Sequence, residues 1–234
     1  MTKIMGVEND KIMGVEKGKK AAQHDKIVDA QKGKKEGDTV PKLLYQGHGS
    51  LRLTADDGRV IYIDPFKGGG YDKPADIILV THQHHDHNKI SLCTQKNGCR
   101  IITNVEALEN GLHNSFDIDG IAIQAVEAMN KKHDPKECVG YIITIDGVKI
   151  YASGDTSKTA QMDSFASLNL DYALFPGDGI YNMGLAEAAQ CAELVGAKHN
   201  VIIHVMPGSL VRLIAKIWKA PNKLILGPME EIEL

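Results

Sequence analysis

Residues 77–87 read IILVTHQHHDH. The apolar run Ile77-Ile78-Leu79-Val80 suits a short strand buried on both faces. Directly after it, from His82 to His87, stand four histidines and one aspartate in six residues. Imidazole nitrogen and carboxylate oxygen together suit zinc, manganese or iron better than calcium or magnesium. His82 and His84 are two apart, so in extended chain they project to one side and can reach one ion. Asp86 and His87 are adjacent, and once the strand ends they can turn towards a second ion. His85 is expected to face away. Packed together, four imidazoles and an acid are hard to desolvate without a metal.

One cluster cannot complete two coordination spheres, and three further residues stand in equivalent places. Asp155 follows the apolar stretch Val148–Ala152 in the tight turn SGDTS, where Gly154 lets the backbone bend. His204 ends the run Val201–Ile203, and His133 lies in the polar loop NKKHDPK before Gly140–Ile145. Ligands gathered at loops beyond strand ends are what a metal site on an α/β scaffold needs.

Outward from these motifs the pattern is regular. Asp57-Gly58, Asp119-Gly120 and Asp146-Gly147 each separate two apolar segments and predict type I′ hairpins over Leu51–Ile63, Phe116–Val126 and Tyr141–Tyr151. Ile101-Ile102, Tyr172–Phe175 and Val201–Ile203 read as buried strands. Leu185, Ala188, Ala189 and Ala192 predict a helix that Gly196 ends. Leu210, Leu213, Ile214, Ile217 and Trp218 predict another, capped by Ser209 and stopped by Pro221. Val105, Leu108 and Leu112 suggest a shorter one after Asn104. These helical stripes are expected to pack on the core. Hairpins first, then strands alternating with helices, favour an α/β sandwich over a single parallel sheet.

The chain has 234 residues with 27 basic and 30 acidic side chains, a formal charge of -3. That length suits one sizeable domain, and the charge does not suggest nucleic-acid or membrane-surface partners. No apolar run could span a bilayer, and the first residues lack a secretory apolar core, which together suggest a cytoplasmic protein. The four cysteines, Cys93, Cys99, Cys138 and Cys191, are too scattered for a disulfide framework and are expected to be reduced. Residues 1–41 differ from the rest: they contain no Phe, Tyr or Trp and repeat KIMGVE at 3–8 and 11–16. They are expected to form a flexible or loosely docked extension, leaving 42–234 as the functional domain.

THQHHDH resembles the HxHxDH signature of the metallo-β-lactamase superfamily. IDPF (Ile63–Phe66), NKKHDP, SGDT and IIH agree with the order of its later motifs. GHGS (Gly47–Ser50) and PGDGIYNM make the chain similar to small bacterial metal-dependent hydrolases related to ascorbate-6-phosphate lactonase. The resemblance spans about residues 42–234 and implies an αββα four-layer sandwich with the metal site at one edge of its two sheets. It further implies two divalent ions, zinc or manganese with iron as an alternative. One would be held by His82, His84 and His133, the other by Asp86, His87 and His204, with Asp155 bridging. Asp64 would be structural rather than a ligand, and His48 would approach the site or stand just behind it. Tyr181 and Asn182 would border the substrate, and Lys131 and Lys132 could meet an anionic group.

The implied reaction is attack on a carbonyl or phosphorus by a hydroxide shared between the ions, with Asp86 orienting it and accepting its proton. The expected substrate is a small polar lactone, ester or phosphodiester, with or without a phosphate group; no nucleic-acid or membrane partner is implied, and a homo-oligomer is compatible with the subgroup. A flavodiiron reductase would carry a carboxylate at His84. An RNA-processing nuclease needs a large insertion that these spacings leave no room for. A glyoxalase-type thioesterase needs a longer helical end than the residues after His204 provide. The non-enzyme alternative is a metal-binding or regulatory protein on the same fold; the presence of all seven expected ligands favours the enzyme.

Overall fold

The computed structural model describes residues 40–234, so the extension expected over 1–41 lies outside the described residues except for its last two positions. Strands β1 (Lys42–Gly47), β2 (Ser50–Thr54), β3 (Val60–Ile63), β4 (Ala75–Leu79) and β5 (Gln95–Ile102) form one sheet, which β12 (Glu230–Glu233) extends at the β1 edge. Strands β6 (Ser115–Ile118), β7 (Ile121–Glu127), β8 (Val139–Ile145), β9 (Val148–Ala152), β10 (Tyr172–Pro176) and β11 (His199–Ile203) form the second, in sequence order. Both sheets are built alike. Three antiparallel pairings, β12-β1-β2-β3 and β6-β7-β8-β9, give way to two parallel ones, β3-β4-β5 and β9-β10-β11.

Side-chain alternation explains why the sheets face each other. In the first sheet Leu43, Tyr45, Leu51, Leu53, Ile61, Ile63, Ile77 and Leu79 join the core shared with the second. The opposite face presents Val60, Tyr62, Ile78 and Val80 to Tyr71, Ile90 and two cysteines. That outer layer is thin, made of loops and a 3-10 turn over Ile90–Leu92. Over the second sheet lie α2 (Leu185–Val195) and α3 (Val211–Ile217), packed on β10 and β11 respectively. A third, α1, is a single turn over Asn104–Ala107 after β5.

Several local expectations need correction. Asp119-Gly120 and Asp146-Gly147 have positive φ at both positions, as a type I′ turn requires, but at Asp57-Gly58 only Gly58 does. There the Gly58 N–H closes a turn on the Ala55 carbonyl, giving a longer loop. Ile101 lies on the edge strand β5 and is 36% exposed, so that segment is not buried on both faces. Thr103, not Asn104, caps α1 through a reciprocal bond with Glu106, and Val105 and Leu112 face solvent. Helix α3 starts at Val211, because Ser209 lies in a preceding 3-10 turn, and ends at Ile217 before Pro221 is reached. Its buried residues are Val211 and Ala215, with Trp218 just beyond, whereas Leu210, Leu213 and Ile217 are exposed. Gly196 ends α2 as expected, in the left-handed conformation (φ 64°). The four cysteines are free. Among the described residues no helix is long and apolar enough to cross a membrane.

The parallel strands place the chemistry. Asp64 follows β3, Thr81–His87 follows β4, Asp155 follows β9, Asp178 follows β10 and His204 follows β11. In α/β sheets the carboxyl ends of parallel strands are where loops meet ligands. Between the sheets, the Tyr141 hydroxyl on β8 donates to the Val80 carbonyl at 3.0 Å, and the Val139 N–H donates to the Thr81 carbonyl at 3.0 Å. These bonds pin the β4 end against the second sheet just below the histidine run. Tyr141→Phe leaves that buried carbonyl short of a donor, so denaturant unfolding should show a loss of about 1–2 kcal/mol; an unchanged midpoint would mean that the contact contributes nothing.

Candidate metal centre

After β4 the chain bends sharply, and its side chains diverge. His82 and His87 are buried, Asp86 is half-buried, and His84 and His85 are exposed. His85 points away from the others, with its side chain 82% exposed. His133 arrives from the loop before β8, Asp155 and His204 from the ends of β9 and β11, and all three are buried. Donor atoms of His82, His84 and His133 lie within 4.8 Å of one another, as do those of Asp86, His87 and His204 together with His48.

Asp155 faces both groups. Its Oδ2 lies 3.4 Å from His133 Nε2, while its Oδ1 lies 3.5 Å from His87 Nε2 and 3.3 Å from His204 Nε2. The structure thus brings together all seven residues singled out as donors. Two glycines make room for them. A Cβ at Gly49 would stand 2.8 Å from His87 Cε1, and one at Gly154 (φ 63°) would stand 2.9 Å from the Val139 carbonyl.

Behind the donors lie two buried aspartates. Asp64 accepts from Thr81 N–H and Thr81 Oγ1, both at 2.7 Å, and from His87 Nδ1 at 2.8 Å. Because Thr81 Oγ1 already donates to Asp64, His82 Nδ1 must be the donor in its 2.9 Å contact with that oxygen. Asp178 Oδ2 lies 3.0 Å from His204 Nδ1, a charge contact outside hydrogen-bond geometry. The other Asp178 oxygen accepts the backbone N–H groups of Ile180, Tyr181 and Asn182. A chain of amides continues from it: Asn182 Nδ2 donates to Asp178 Oδ2 at 2.9 Å, and Asn130 Nδ2 donates to Asn182 Oδ1 at 3.0 Å. Asn130 Oδ1 accepts from Lys132 N–H at 2.8 Å and from His133 Nδ1 at 2.9 Å.

For His82, His87 and His133 these bonds make Nδ1 the donor, so that in the neutral ring Nε2 is the electron-pair donor. The Nε2 atoms of His82 and His133 are buried with no hydrogen-bond partner. A buried orphan of this kind costs about 1–3 kcal/mol, and a cation between the rings removes that cost. Nitrogen and carboxylate donors of this set fit zinc, manganese or iron.

The electrostatics follow from the burial of these groups and their crowding together. Burial pushes His82 down to about 2, with the nearby His87 adding to the shift. Burial also lowers His133. For His87 burial acts downwards too, but Asp64, Asp155 and Asp86 outweigh it and raise it to about 9. His204 is likewise raised, its burial offset by Asp178 and Asp155. Asp155 is fully buried, which alone would raise its carboxyl, yet the surrounding histidines hold it below the usual carboxylate range.

The remaining candidates take different places. Asp64 touches His87 and Thr81 rather than the space between the donor groups. His48 Nε2 lies 2.9 Å from Asp86 Oδ2, and its ring packs 3.7 Å from that of His204. A cleft of about 1010 Å³ opens onto the donors and is lined by Tyr181, Lys67, Lys132, Phe66 and Met206, among others. Asn182 is not part of that lining; its side chain is engaged with Asp178 and Asn130. Lys131 is likewise absent from the lining. Asp178 and Asn130 escaped the sequence reading. The signal for Asp178 was its position just past a strand end, which it shares with Asp64 and Asp155.

Residues 42–204 match the family described as the beta-lactamase superfamily domain. A UPF0173 metal-dependent hydrolase of Pyrococcus horikoshii is 31% identical over 229 residues, covering 82% of this chain and 99% of the relative. Its counterpart in Pyrococcus furiosus is 29% identical with the same coverage. The structure of Igni18, a metallo hydrolase from Ignicoccus hospitalis, superimposes with a TM-score of 0.65 at 22% identity, covering 84% of this chain and 99% of the other, and so shares the fold. Motif order, fold and relatives agree: the chain belongs to the beta-lactamase superfamily, among its metal-dependent hydrolases.

Proposed function

We propose that the centre holds two divalent ions and that the protein hydrolyses a lactone, ester or phosphodiester of a small polar molecule. The observation that carries this reading is the pair of donor groups with Asp155 facing both, opening onto a cleft that a small molecule can enter. His82, His84 and His133 would hold one ion, Asp86, His87 and His204 the other, and Asp155 both. Zinc and manganese suit these donors, with iron an alternative. When bound, such ions supply Lewis acidity and lower the pKa of a water from 15.7 towards about 7.

The chain's own groups then do the rest. Asp86 is 22% exposed at its side chain and can take a proton from the attacking water at Oδ2. His48 Nε2, 2.9 Å from that oxygen, is placed to steady the carboxylate or carry the proton onward. Asp64, Asp178 and Asn130 keep the imidazole rings turned with Nε2 inward, so no reorganisation is needed when substrate arrives. Lys67 and Lys132 on the cleft favour an anionic group beside the scissile bond, and Tyr181 offers a ring to the rest of the molecule.

The reading is tested by assaying the full chain, loaded with Zn or Mn, against a panel of lactones, carboxylic esters and phosphodiesters. Turnover of at least one class is expected, and its absence from all three would defeat the hydrolytic assignment. Asp155→Ala should lose ion content and also lower turnover by more than about 100-fold, beyond the effect of losing a supporting partner. If that variant kept full metal and full rate, Asp155 would not join the two groups. Lys132→Ala should raise KM for an anionic substrate and leave kcat nearly unchanged, because uniform binding is all that is removed. A fall in kcat alone would assign the lysine a different role.

A further inference from the structure

The supports behind the two donor groups are not equivalent. His87 Nδ1 hydrogen-bonds directly to the buried Asp64 carboxylate, and His204 Nδ1 lies in charge contact with the Asp178 carboxylate, 3.0 Å from Oδ2. His82 and His133 reach the same two carboxylates only through neutral groups. The first goes by way of Thr81 Oγ1, the second through Asn130 and Asn182. The third histidine of that group, His84, is exposed and meets its partners through ring contacts, at 4.5 Å from His82 and 4.9 Å from His133.

Resting on the two-ion reading above, we propose that the centre loads in a fixed order. The Asp86–His87–His204 group takes its ion first and tightly, the His82–His84–His133 group takes the second more weakly, and Asn130 is the positioning residue that sets the second affinity.

Three physical differences point the same way. The first group carries a carboxylate of its own, Asp86, in addition to its share of Asp155, so an arriving cation meets more negative charge. Its imidazoles are backed directly by carboxylates, which makes them stronger electron donors, and such outer partners typically change metal affinity by about 10–100-fold. A neutral relay polarises the ring less. Finally, His87 is already fixed by its buried bond to Asp64 and His204 is itself buried, whereas exposed His84 must give up rotamer freedom when the ion binds. His48, within donor distance of the first group, gives that side a further nitrogen which the other side lacks.

Asn130 is the selective handle. Its amide orientation is dictated, because Oδ1 must accept from both Lys132 N–H and His133 Nδ1, which turns Nδ2 towards Asn182. Removing it frees the His133 ring and one bond to Asn182, but Asn182 keeps its own bond to Asp178 and Asp64 is untouched, so the first group keeps its supports.

The experiment is a Zn²⁺ titration of the metal-free full chain, read by calorimetry and by competition with a chromophoric chelator. Two steps of one ion each are expected, at least about 10-fold apart in affinity. Asn130→Ala should weaken the second step by about 10-fold and leave the first unchanged, a split that a general loss of structure would not produce. His84→Ala, at an exposed position that does not threaten folding, should abolish the second step and spare the first. Two ions of equal affinity would overturn the order. So would a first step that weakens in either variant. Failure to bind any ion is a different result: it would remove the two-ion reading, and the loading order with it.

Discussion

Unpaired imidazole nitrogens facing one another in a buried space are the constraint on which this molecule turns. His82 Nε2 and His133 Nε2 are buried, and no protein donor satisfies them. Their Nδ1 protons are committed to Thr81 and Asn130 on the other side. Such an arrangement is costly in isolation and favourable around a cation. The stability of the loops that carry these rings is therefore linked to the ion they are shaped to hold.

The sheets exist in this account to bring those loops together. Each sheet runs through the same succession of antiparallel and then parallel pairings, and each delivers candidate donors from the carboxyl ends of its parallel strands. The first sheet supplies the His82–His87 run together with Asp64, and the second supplies Asp155, Asp178 and His204. The centre sits where the two meet, so neither sheet contains it alone. Tyr141 and Val139, which reach across to Val80 and Thr81, fix the spacing on which the donor distances depend. Even the glycines of GHGS and SGDT act on that spacing, since a methyl group at either would press on His87 or on the Val139 carbonyl.

The sequence was most legible where chemistry is concentrated in a short run. THQHHDH, SGDT and the histidine after Val201–Ile203 carry rare residue combinations, and the structure gathers all of them. The Asp-Gly hairpins were legible too, although Asp57-Gly58 folds into a longer loop because the Ala55 carbonyl, not a tight two-residue turn, receives the glycine N–H. Periodicity failed at α3, where two apolar stripes overlap. The one ending in Trp218 goes inward because that large ring is fully buried, which leaves Leu213 and Ile217 outside. Beyond Asp64, the supporting network was hidden. Asn182 looked like a substrate contact because it lies beside Tyr181, but which of two neighbouring polar side chains turns inward depends on tertiary partners such as Asn130, 52 positions away in sequence. Asp178 and Asn130 are ordinary loop residues until the fold places a histidine beside each.

Two ions held on either side of Asp155 by separate donor groups are the core of the proposed function. Anomalous X-ray diffraction from crystals of the zinc-loaded protein, collected on both sides of the metal edge, locates them. Two anomalous peaks are expected, one among His82, His84 and His133 and one among Asp86, His87 and His204, with Asp155 reaching both. A single peak, or ions held by residues outside these groups, would contradict this arrangement.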